Sequence, residues 1–147
     1  MESVARQPYF AYGSNMDIDQ MRDRCPDSQL TANARLGAFR FIINSRGVAT
    51  IVEDDSSDVH GVLWQLTPPD EDSLDHYEGV KHGLYSKEYF HVQTEDGEAV
   101  EVLVYIASDR VEGEPGGGYM RRILEAAQDR GLPVTYIAEL KKWVHGS

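Results

Sequence analysis

Cysteine is nearly missing from this chain: of 147 residues only Cys25 carries a thiol. A single thiol excludes an internal disulfide framework and every paired-cysteine metal or redox motif. Cys25 precedes Pro26 near an expected helix end and reads as a packed or inert thiol rather than a nucleophile. Basic residues are also scarce, 14 Lys and Arg against 25 Asp and Glu, for a formal charge of -11. A field of that sign does not draw the chain to phosphate backbones or anionic lipid, so neither a nucleic-acid nor a membrane partner is expected. The apolar runs are all strand-sized, and the polar opening MESVARQP lacks the basic and apolar segments of a signal peptide. The expectation is a soluble, cytoplasmic protein.

Metal and nucleotide motifs are missing too. His60, His76, His82, His91 and His145 include no pair three or four residues apart and no HExxH arrangement, so no metal is expected. GEPGGGYMRR (113–122) has glycines but not the Lys-Ser/Thr pair of a phosphate loop, and GxGxxG occurs nowhere. No cofactor is therefore expected, and SDRVEGEPGGG (108–118) reads as a flexible linker or lid.

What is present suits one domain spanning residues 1–147. Pro8 to Gly13 reads as an aromatic strand, and residues 17–25 as a short helix with Ile18, Met21 and Cys25 inward and Asn15 or Asp17 as its cap. ARLGAFRFIIN (34–44), RGVATIVE (46–53) and DVHGVLWQL (58–66) supply three strands, the last two separated by the acidic turn EDDSSD. TPPDEDSLDHYEG predicts a helix capped by Thr67, with Pro68 or Pro69 and acids in its first turn, ending near Glu78 at Gly79. LYSKEYFHVQT and EAVEVLVYIA, joined by EDG, form a hairpin, with Val100, Val102, Val104 and Ile106 alternating against Glu101, Leu103 and Tyr105. Tyr119 to Arg130 reads as a helix with Ile123, Leu124 and Ala127 inward, stopped by Gly131 and Pro133, and a last helix runs through YIAELKKWV. Strands followed by terminal helices imply an α+β fold with a mostly antiparallel or mixed sheet, closable into a small barrel.

Three features carry chemistry. A strand running into Gly13-Ser14-Asn15 ahead of a helix can present backbone N–H groups to a carboxylate or a developing oxyanion. The same three residues also make an ordinary capped turn, and local pattern alone favours that reading. Glu78 sits in the last turn of its helix, where the negative dipole end and nearby Asp75 raise its pKa toward that of a general base. An exposed acid on an acidic protein is equally compatible. Of eight tyrosines, Tyr12, Tyr85 and Tyr119 are best placed to line a pocket.

Taken in order, YFAYGSNM, RGVATIV, DVHGVLWQL, LDHYEGVKHGLY and GGGYMRRILEAAQDRGLPVTYIAELKKW resemble the γ-glutamylcyclotransferase family along nearly the whole chain. The resemblance implies a barrel-like mixed sheet with flanking helices, no metal or organic cofactor, and conversion of a γ-glutamyl amino acid into 5-oxoproline and the free amino acid. It implies that Tyr12, Gly13, Ser14 and Asn15 bind the glutamyl part, that Glu78 is the acid/base, and that Tyr85, Tyr105 and Tyr119 line the pocket. A homodimer is in keeping with it. Met16 stands where the family commonly has leucine, a change that conserves volume. Arg6, Arg35, Arg40, Arg46, Lys81 and Lys87 are unranked candidates for the substrate carboxylates. YGSN with EGV favours γ-glutamyl amino acids, with a γ-glutamylamine or other γ-glutamyl acyl substrate second. An inactive binding or scaffold protein on the same fold is the alternative of another class, and Glu78 is the residue such a protein would not need.

Overall fold

A computed structural model describes residues 6–116 and 118–144; His145, expected to be solvated, lies outside the described residues. Strand β1 (Gln7–Ala11) carries Tyr9, Phe10 and Ala11 into the core. A 3₁₀ turn (Ser14–Met16) and helix α1 (Ile18–Arg24) follow. Asp17 is the cap of α1, its carboxylate accepting the Asp19 N–H at 3.0 Å. Asn15, the other candidate cap, makes no such bond because its side chain is committed elsewhere. Met21 and Cys25 face inward, as their spacing predicts, and burial pushes the Cys25 thiol up to about 12, which removes it as a nucleophile.

Strands β2 (Gln29–Ile43) and β3 (Ala49–Leu66) form one long antiparallel ribbon. The acidic segment EDDSSD was expected to separate two strands; it lies within β3. Gly37 pairs with Asp58 and Phe39 with Glu53, so four residues of β3 stand opposite Ala38 alone. Asp54 makes this possible by accepting the Ser56 N–H at 3.0 Å and both serine hydroxyls, at 2.8 and 3.1 Å, while Ala38 takes a positive φ of 65°. The ribbon is bent there rather than ended.

Helix α2 (Pro68–Tyr77) starts at Thr67, whose hydroxyl accepts the Asp70 N–H at 3.3 Å. It stops because Gly79 turns left-handed at φ +64°, and a Cβ there would lie 2.8 Å from Leu84 Cδ1. Strands β4 (Tyr85–Thr94) and β5 (Ala99–Ala107) pair as the expected hairpin. Helices α3 (Tyr119–Asp129) and α4 (Val134–Lys141) close the chain; α3 buries Met120, Ile123, Ala126 and Ala127, with Leu124 only half-buried. The 108–118 segment is less free than its composition predicts. Gly113 N–H donates to the Ile43 carbonyl at 2.9 Å, Asn44 bridges to Glu112, and Asn44 Nδ2 donates to the Asp109 carbonyl at 2.9 Å.

The strands close into a barrel in the order β1-β3-β2-β4-β5, every pairing antiparallel except the seam between β1 and β5, where Tyr9 lies beside Leu103. Closure leaves no open sheet edge and fixes the ends of β1 and β5 at the same rim of the barrel. Among the described residues no helix is long and apolar enough to cross a membrane.

Gly61 holds the β1–β3 contact tight. A Cβ at that position would lie 2.2 Å from the Ala11 carbonyl oxygen, which is backbone and cannot swing away. Gly61→Ala is expected to lower unfolding free energy by about 1–3 kcal/mol, measured by urea denaturation. A change of a few tenths would mean that β1 is free to shift.

Candidate active site

The barrel rim at which β1 and β5 finish and β3 and β4 begin holds a cavity of about 280 Å³. Tyr12, Gly13, Ser14, Asn15, Glu78, Tyr85, Tyr105 and Tyr119, the eight residues singled out from the sequence, all line it. Five separate stretches of chain bring them together: the end of β1 with its loop, the end of α2, the first residue of β4, β5, and the first residue of α3.

Tyrosine hydroxyls lock the walls to the backbone. Tyr12 donates to the Tyr105 carbonyl at 2.6 Å and Tyr85 to the Ala49 carbonyl at 2.6 Å. Tyr105 donates to Asp75 at 2.7 Å, and Asp75 in turn accepts Lys87 Nζ at 3.1 Å. Tyr9 and Tyr119 differ: each accepts a bond, from Asn15 Nδ2 at 2.9 Å and from the Ala49 N–H at 3.0 Å. Their own O–H groups donate to no protein acceptor among the described residues, which leaves two phenols able to donate into the cavity. Burial raises the pKa of all five phenols, so they act as neutral donors.

Asn15 is the fixed point of the Gly-Ser-Asn loop. Its buried amide donates to Tyr9, its Oδ1 accepts Gln20 Nε2 at 2.8 Å and Arg24 at 3.0 Å, and its carbonyl accepts Trp64 Nε1 at 3.0 Å. Gln20 also donates to Ser14 Oγ at 2.8 Å. Met16 and Asp17 donate their N–H groups back to Gly13 and Ser14. The N–H groups of Ser14 and Asn15, at the start of the turn, have no partner within it. Gly13 has φ -116°, outside the left-handed region, and a Cβ there would meet Ala49 Cβ at 3.4 Å, an ordinary contact.

Glu78 follows the last turn of α2, where its side chain closes the cavity. Burial pushes its carboxyl up to about 7, opposed by the Arg24 guanidinium. Its charge is felt in turn by Tyr9, Tyr12, Tyr85 and Tyr119. The direction is the one expected from sequence, but the cause is not Asp75, whose carboxylate is held by Lys87 and Tyr105. Partial withdrawal from water does the work.

Of the basic candidates only Arg46 lines this cavity; Arg35 pairs with Asp58, Arg40 with Asp54 and Glu112, and Lys87 with Glu71 and Asp75. Arg6 bonds backbone carbonyls outside it. Sequence reasoning missed Arg24, which lines the cavity and lies 4.5 Å from the Tyr77 ring centroid, and gave Tyr9 no special place. The available signal was the i, i+4 spacing of Gln20 and Arg24 on one helix face beside inward Met21 and Cys25. Among the described residues no group of three or more His, Cys, Asp or Glu is placed to hold a metal ion.

Residues 58–140 match the AIG2-like family. The human protein named gamma-glutamylcyclotransferase is 32% identical over 143 residues, which cover 90% of this chain and 76% of that one. The bovine protein of the same name is 31% identical over 142 residues, with coverage of 90% and 76%. A solved structure named gamma-glutamyl cyclotransferase superposes with a TM-score of 0.87 at 31% identity, covering 92% of this chain and 86% of that one.

The raised Glu78 carboxyl has a consequence for stability. The folded protein keeps a proton that the unfolded chain gives up near 4.5, so this contribution is complete below pH 4.5 and is lost as pH rises through about 7. Glu78→Gln is therefore expected to gain in Tm relative to the native chain between about pH 5 and about pH 8, followed by calorimetry. A constant difference across that range would mean that Glu78 keeps its water.

Proposed function

We propose, because this chain belongs to the γ-glutamylcyclotransferase family, that its tyrosine-walled cavity binds a γ-glutamyl amino acid and that Glu78 is the acid/base of its cyclisation. The chain is an enzyme of that family, and its reaction closes the γ-glutamyl group into 5-oxoproline. The observation that carries the site assignment is one desolvated carboxyl in the same cavity as the Gly13–Asn15 loop.

The substrate's own α-amino group is the nucleophile, so no serine or cysteine is needed. Held as an ammonium, that nitrogen has no lone pair to use. Glu78 takes one of its protons, and the freed nitrogen attacks the γ-carbonyl carbon to form the ring C–N bond. The donors available in the cavity for the oxygen that becomes anionic are the Tyr119 hydroxyl and an N–H group at the start of the loop, each contributing about 3 kcal/mol when well placed. As the bond to the departing nitrogen breaks, Glu78 returns its proton to that nitrogen. The second amine proton leaves as the ring nitrogen becomes an amide, and the released amine takes it up as ammonium. One carboxyl near neutrality serves both transfers.

The loop and Arg24 supply the site for the glutamyl α-carboxylate. Curling the chain so that nitrogen meets carbonyl carbon is the part of the barrier removed by orientation, several kcal/mol in intramolecular reactions of this kind. The same reading carries a small-molecule partner, no cofactor and a cytoplasmic setting.

Purified protein incubated with γ-glutamyl-alanine should release 5-oxoproline, measured by chromatography. Glu78→Gln should lower turnover by at least about a hundredfold while still binding 5-oxoproline. Near-normal turnover in that variant would remove Glu78 from the mechanism, and binding of 5-oxoproline without any release by the native protein would leave a binding module.

A further inference from the structure

We propose that Arg46 is the subsite for the carboxylate of the departing amino acid, so that the cavity selects γ-glutamyl amino acids over γ-glutamylamines. This rests on the cyclisation reading above and adds to it the part of the substrate that leaves.

The cavity contains two cations, Arg24 and Arg46, in a chain whose formal charge is -11. They belong to different walls. Arg24 stands beside the loop, bonded to Asn15 Oδ1 at 3.0 Å with its guanidinium against Tyr77. Arg46 stands in the turn between β2 and β3, next to Val48 and Ala49, which also line the cavity. Its backbone is held rigidly: buried Asn44 Oδ1 accepts the Arg46 N–H at 3.0 Å and the Val48 N–H at 3.2 Å. Asn44 is itself tied to the Asp109 carbonyl at 2.9 Å.

The side chain on that fixed backbone is in no close ion pair, although it feels the charge of Asp109. Among the described residues no carboxylate lies within 4.0 Å of the Arg46 guanidinium. Arg35, Arg40 and Lys87, by contrast, all pair with acids. The carboxylate that feels Arg46, Asp109, is already taken by the Ser45 hydroxyl and by the Val111 N–H at 3.0 Å. On the cavity side the charge of Arg46 reaches Tyr85.

A γ-glutamyl amino acid carries two carboxylates at neutral pH, one on each side of the bond that breaks. With the glutamyl carboxylate on the loop and Arg24, the second carboxylate lies one carbon from the departing nitrogen and meets the turn at Arg46. A γ-glutamylamine has nothing to offer there. A guanidinium and a carboxylate form a charge-assisted bond with planar geometry, and because Arg46 is exposed its contribution is modest.

The test compares kcat/KM for γ-glutamyl-alanine and γ-glutamyl-ethylamine, by 5-oxoproline release, in the native protein, Arg46→Met and Arg46→Lys. The native protein should favour the alanine compound. Arg46→Met should lower the ratio of the two values about tenfold, through KM for the alanine compound, and Arg46→Lys should restore much of it. A native ratio near one, an unchanged ratio in Arg46→Met, or equal losses on both substrates would overturn the assignment of Arg46 alone. Release from neither substrate by the native protein would overturn the cyclisation reading and this subsite with it.

Discussion

A carboxyl group partly withdrawn from water is the constraint on which the proposed site depends. An α-ammonium releases its proton near about 8, and an ordinary glutamate near 4.5 would take it only against about 5 kcal/mol. In the proposed mechanism the Glu78 carboxyl, raised to about 7, would meet the same proton across little more than 1 kcal/mol. The change comes from the walls around it, buried phenols and the end of a helix, and Arg24 limits it by favouring the charged form. The barrel exists, for the purposes of this chemistry, to keep those walls closed where β1 and β5 end together.

Asn15 is the second constraint, and it joins the loop to the rest of the molecule. One amide binds Tyr9, Gln20 and Arg24, while the carbonyl of the same residue binds Trp64. The loop therefore moves only with β1, α1 and β3. Capping falls to Asp17, which leaves the Asn15 side chain free for its bonds beside the cavity. Each hydrogen bond is worth about 1 kcal/mol, and their value here is a fixed geometry more than stability.

Much of the fold was legible in the sequence because it rests on local patterns. Alternation in Val100 to Ile106, the Thr67 cap with its prolines, and the Gly79 stop all predict elements that the structure contains. Two readings failed because tertiary pairing overrode composition. EDDSSD looked like the end of a strand, yet Asp54 satisfies its serines and the ribbon continues past Ala38. The glycine-rich 108–118 segment looked free, yet its first half is pinned to Asn44 and Ile43. At the site, the loop and Glu78 stood out through the family resemblance. The reason for the Glu78 shift did not, because whether a carboxyl keeps its water is decided by segments far apart in the chain. Arg24 left only the weak signal of its i, i+4 spacing from Gln20, because its stacking partner Tyr77 lies on another helix.

The account's central claim is the ionisation of one side chain, and it can be read directly. Carbon-13 NMR of glutamate-labelled protein, assigned with Glu78→Gln and titrated without substrate, follows the Glu78 carboxyl itself. The account predicts a midpoint near 7; a midpoint near 4.5 would show a solvated carboxylate and contradict it.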